Sequence, residues 1–77
     1  MNKIEYEKLI EEAKRNLNHS NEEYKEYIRL HKKGDVIGST MALRNAAQGH
    51  GYAAGIYQVL AVIGYSDVSM SELKERI

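Results

Sequence analysis

Twenty-two consecutive residues, Asn45 to Ser66, carry no Asp, Glu, Lys or Arg, in a chain of 77 residues of which 29% are charged. The ionic side chains crowd elsewhere: sixteen of the twenty-two lie in residues 1–35, five in residues 67–77, and Arg44 stands alone between them. Four of the six Gly also fall in the neutral stretch. A segment so poor in charge and rich in small residues suits contact with another backbone, where close approach gains dispersion contacts. Twenty-two residues is also about the length that crosses a bilayer. Asn45, Gln48, His50 and Gln58 interrupt the run, however, and only the dozen residues Ala53–Gly64 are really apolar, which is too short. No membrane span is expected.

The remaining composition bounds the class. A chain of this length forms one domain, residues 1–77, and buries only ~60% of the surface its unfolded form exposes. Without Cys there is no disulfide framework and no thiolate chemistry. Eleven basic and eleven acidic groups cancel, so no global field steers the protein toward nucleic acid or an anionic membrane. The N-terminal run MNKIEYEKLIEE is charged from its third residue and does not read as the apolar core of a signal peptide. A cytoplasmic protein is the expectation.

The periodicity is helical throughout. Tyr6, Leu9, Ile10, Ala13 and Leu17 form one face of a helix over residues 3–17, capped by Asn2 with Glu5 three residues on. Asn18-His19 reads as a break, and Ser20-Asn-Glu-Glu23 as a capping box opening a second helix over 21–33, which ends at Gly34. Asp35 can cap a third helix over 36–63, Gly/Ala-rich and either bent or broken near Gly49-His-Gly51, with the bent form preferred. Gly64-Tyr65-Ser66-Asp67 ends it, and Ser69-Met-Ser-Glu72 reads as a further capping box before a short last helix. The expected fold is therefore all-α: a small bundle of four or five helices with a long, bent third helix.

Two sets of residues stand out. Gly38, Ala42 and Ala46, continued by Ala53, make a narrow face suited to a helix–helix interface, within the monomer or in a homo-oligomer. Arg44, Asn45, Gln48, His50 and Tyr52 form the polar cluster best placed to bind a ligand or partner. Arg44, Gln48 and Tyr52 recur every four residues, so one helix face carries a guanidinium fork, an amide and a ring. These could hold a phosphate and a base, or anchor a partner protein. Gly49-His-Gly51-Tyr-Ala-Ala54-Gly55 matches a dinucleotide-binding spacing, but no hydrophobic strand precedes it. His19, His31 and His50 fall on separate segments with no metal-ligand spacing. No catalytic constellation, metal or cofactor is expected.

The C-terminal segment offers another reading. Val59-Leu-Ala-Val-Ile63-Gly64-Tyr65-Ser66-Asp67-Val68-Ser69, running into Leu73-Lys74-Glu75-Arg76, resembles the second helix-turn-helix of AraC-type regulators. That family writes an apolar helix, a Gly-aromatic-Ser turn and a recognition helix. Leu60 departs from the Ala usual there, and Glu72 and Glu75 make poor DNA contacts. The resemblance implies a DNA-binding regulator using residues 56–77, provided Lys74 and Arg76 project together.

The function these features predict is occupancy rather than turnover: a small, non-enzymatic helical binding protein that self-associates. It would act as an inhibitor or adaptor on a host protein or a small anionic signal such as a nucleotide. Short, Cys-free helical proteins of phage and mobile elements commonly work in this way.

Overall fold

The computed structural model describes residues 1–77 and contains three helices: α1 (Lys3–Lys32), α2 (Val36–Ile63) and α3 (Val68–Arg76). The four- or five-helix bundle with a long bent third helix does not hold. Residues 36–63 form the second helix, and α1 runs unbroken through Asn18-His19 for 30 residues. The reason lies in side-chain phase. From Tyr6 through Ile10, Ala13 and Leu17 to Ser20, positions alternate by four and three, the spacing that keeps one helix seam against a partner. Ser20 sits on that seam, so its hydroxyl does not start a new helix. It reaches across instead, and Oγ donates to the Ala46 carbonyl of α2 at 2.7 Å.

The helices begin and end where short-range chemistry dictates. Asn2 caps α1, its Oδ1 accepting from the Glu5 N–H at 2.8 Å. Gly34 then takes a left-handed conformation (φ 79°) while Gly34 N–H bonds the His31 carbonyl and Asp35 N–H the Leu30 carbonyl, each at 3.0 Å, closing a Schellman motif. The same Asp35 starts α2, its Oδ1 accepting from Gly38 N–H at 2.9 Å. One residue thus ends one helix and begins the next, and α1 and α2 fold back as an antiparallel hairpin. Gly64 (φ 116°) closes α2 in the same way, with Tyr65 N–H on the Leu60 carbonyl at 3.1 Å. The expected Ser69 capping box is displaced by two residues: Asp67 caps α3, accepting from Met70 N–H at 3.1 Å.

The α2 seam is made of small residues. Ser39, Ala42, Ala46, Gly49 and Ala53 are buried at alternating spacings of three and four, and Leu60 lies farther along. The contact is closest at Gly49, where an added Cβ would lie 2.8 Å from the Asn16 carbonyl oxygen and 3.3 Å from Ser20 Cβ. Gly38 differs from the other stripe residues. Its missing side chain makes room for the capping carboxylate of Asp35, whose atoms are the nearest to where a Cβ would stand.

Larger side chains gather at the open end of the hairpin. Tyr6, Ile10 and Leu17 meet Leu60, Met70 and Leu73 in one cluster, with Leu60 and Leu73 fully enclosed. Short α3 packs back along this part of the hairpin, its first turn tied to Tyr6 and its C-terminus reaching Asn18 and His50. The result is a rod of 47 × 18 × 17 Å.

Gly49→Ala is expected to lower the melting midpoint by about 5–15 °C, because a methyl pressed on a backbone carbonyl forces the helices apart. Thermal unfolding followed by circular dichroism measures it, and an unchanged midpoint contradicts the close contact.

Candidate functional site

The two long helices present opposite chemistry to water. In α1, charges recur on the outer face and pair along it, as in Lys3–Glu7 (3.9 Å), Arg15–Glu12 (3.4 Å) and Lys25–Glu22 (3.5 Å). Pairs this exposed add little stability, but they keep that face solvated. The outer face of α2 has only Arg44 as a charge. Outside its buried seam lie Ile37, Met41, Tyr52, Val59 and Val62, each between 55% and 89% exposed. Between them, Gly51 and Gly55 open a shallow apolar groove of about 420 Å³, walled by Tyr52, Val59, Ile56 and Leu9. An added Cβ at either glycine would meet nothing within 4 Å.

The residues singled out from sequence divide into three groups. Asn45, Gln48 and Tyr52 come together on the rim of a second groove of about 280 Å³, floored by Gly49 and completed by Asn16 and His19 of α1. Arg44 is exposed and does not line that groove, so the expected guanidinium fork is not offered to a ligand there. His50 lies beyond the buried seam, where Nε2–H donates to the Ile77 backbone oxygen at 2.9 Å. Ala42, Ala46 and Ala53 are spent on the contact with α1, inside the monomer. The apolar groove does not show in the sequence because Gly51 reads as part of a bend and Gly55 only as part of a dinucleotide-binding spacing. Since the helix continues, their spacing of four places both on one outward face.

Two side chains with displaced titration are explained by the docking of α3. Tyr6 Oη donates to Asp67 Oδ1 at 2.5 Å, and the Tyr6 ring stacks on Tyr65 with centroids 4.0 Å apart. Burial, and then the bond to Asp67, pushes the Tyr6 phenol up to about 12. The Tyr6 hydroxyl, followed by the Met70 N–H, holds the Asp67 carboxyl below the usual carboxylate range. One carboxylate therefore caps α3 and ties it to α1.

The C-terminal segment does form a helix, a turn and a helix. Its Arg76, however, is turned onto α1, donating to Asn18 Oδ1 at 2.8 Å, so it does not project with Lys74 as base reading requires. His19, His31 and His50 remain apart, and no group of three or more His, Cys, Asp or Glu is placed to hold a metal ion. No helix is long and apolar enough to cross a membrane. Comparisons with protein-family models, curated proteins and solved structures find no match to this chain.

The Tyr6–Asp67 pair makes stability depend on pH at both ends. In the folded chain Tyr6 keeps its proton above the ordinary tyrosine value near 10, so its contribution is complete below pH ~10 and is lost as pH rises toward 12. The depressed Asp67 carboxyl contributes above pH ~4 and fades as pH falls through its folded value. Tyr6→Phe is expected to lower the midpoint at neutral pH by about 5 °C and to flatten the decline above pH ~10. Thermal melts of both proteins across the alkaline range check this, and parallel curves contradict it.

Proposed function

We propose that this chain is a non-enzymatic helical binding protein that works by occupancy, as an inhibitor or adaptor, with the outer face of α2 as a protein-contact surface. The supporting observation is the set of exposed apolar side chains Ile37 and Met41 at one end of α2 and Val59 and Val62 at the other, the latter beside a glycine-floored groove. An apolar face of this length on a small protein is characteristic of interaction surfaces. It fits a protein surface better than a small ligand, being shallow and mostly apolar.

The polar groove beside Tyr52 extends the same surface. Its amides and imidazole supply hydrogen bonds at the rim of an apolar centre, the usual order of a protein–protein contact. Tyr52 walls both grooves and is the natural anchor. A small anionic ligand is the weaker proposal, because the one cation of α2 stands outside the polar groove.

A photo-crosslinking residue placed at Val59 in the cell is expected to give covalent protein adducts, while the same residue at Glu11, on the solvated side of α1, gives none. Electrophoresis of the purified adducts reads the result. Equal yields from the two positions, or none from either, overturn the assignment of the α2 face.

A further inference from the structure

We infer that the occupant of the α2 face is a second copy of this chain, packed antiparallel and centred between Gly51 and Gly55, so that two hairpins make a four-helix assembly. The inference rests on the reading of the α2 face given above and adds the partner and its geometry.

Surface area is the first support. A compact monomer of this mass exposes ~4,800 Å². This rod exposes 5447 Å², an excess of roughly 650 Å², so its long flank leaves surface to spare for a standard interface, which takes ~800 Å² from each partner. The elongation also shows in the radius of gyration, 14.6 Å against the ~11.5 Å of a compact domain of this length.

Glycine is the second. Each of Gly51 and Gly55 weakens a helix interior relative to Ala. Gly49 returns that cost through its contact with α1, but nothing within the monomer touches the space beside Gly51 or Gly55. A neighbouring helix would use that space. Across a two-fold axis between the two glycines, Gly51 of one copy meets Gly55 of the other, and the backbones can come close where the surface is flattest.

Charge selects the direction. A surface that pairs with itself must not oppose its own like charges, and α2 has a single charged side chain, Arg44. A parallel pair would set Arg44 beside Arg44. In the antiparallel pair centred on residue 53, Arg44 falls opposite the partner's Val62. There the last turn of α2 carries no basic residue, and its terminal carbonyls form the negative end of the helix dipole. The same register places Gln48 against the partner's Gln58.

Equilibrium sedimentation of the full chain is expected to give the mass of two chains, with a melting midpoint that rises with protein concentration. Arg44→Glu should weaken the pair roughly three- to thirty-fold, since two symmetric charge–dipole contacts are reversed. In Gly51→Ala/Gly55→Ala, improved helix propensity would raise the midpoint of a monomer, so a loss of dimer mass with helical content intact identifies the interface. The chain has no Cys, which allows one spin label at Val36→Cys. Antiparallel copies place the two labels about 50 Å apart and parallel copies about 10 Å, and the shorter distance overturns the arrangement. A single-chain mass at all concentrations overturns the dimer. If that monomer still binds the apolar dye ANS, and Val59→Glu abolishes the binding, the face reading survives without the second copy. If neither holds, both fail.

Discussion

Everything in this rod depends on how near two backbones come at Gly49. The Asn16 carbonyl oxygen lies 2.8 Å from where any larger residue would place its Cβ, and Ser20 bonds the Ala46 carbonyl one turn away. With that contact made, the seam of Ser39, Ala42, Ala46 and Ala53 is filled by backbone and short side chains and needs no large residues. The chain can therefore fold with few bulky apolar groups, concentrated where α3 packs back along the hairpin. The Tyr6–Asp67 bond and the Tyr6–Tyr65 stack then hold that third helix in place.

The same economy explains why the outer face of α2 is conspicuous. A helix facing water on one side usually carries charge there, as α1 does along its whole length. In α2 the small residues serve the inner seam while Ile37, Met41, Val59 and Val62 remain outside. One helix thus has two apolar aspects, and the hairpin covers only one of them. A second hairpin laid against the other would leave both copies of α1, with their paired charges, as the outer surface.

Much of this was legible in the residues. Asn2, Gly34, Asp35 and Gly64 act at helix ends as their chemistry requires, because a cap depends on its immediate neighbours. Ser20-Asn-Glu-Glu23 misled for the same reason: its local preference is real, but a seam continuing on both sides outweighs it. Asp67 took the cap from Ser69 because it also receives the Tyr6 hydroxyl, from a residue 61 positions away. Within the site, spacing brought Asn45, Gln48 and Tyr52 together but said nothing of Asn16 and His19, which only the hairpin register sets beside them. His50 was lost from the cluster because it lies across the buried seam, next to the end of α3.

The three-residue link at Lys33–Asp35 has a mechanical consequence. Its amides terminate one helix and its carboxylate initiates the other, so neither helix can ratchet past its neighbour without undoing both ends at once. The groove at Gly51 and Gly55 is accordingly preformed. Whatever settles there meets a rigid template, and association spends little of its free energy on ordering the receiving helix.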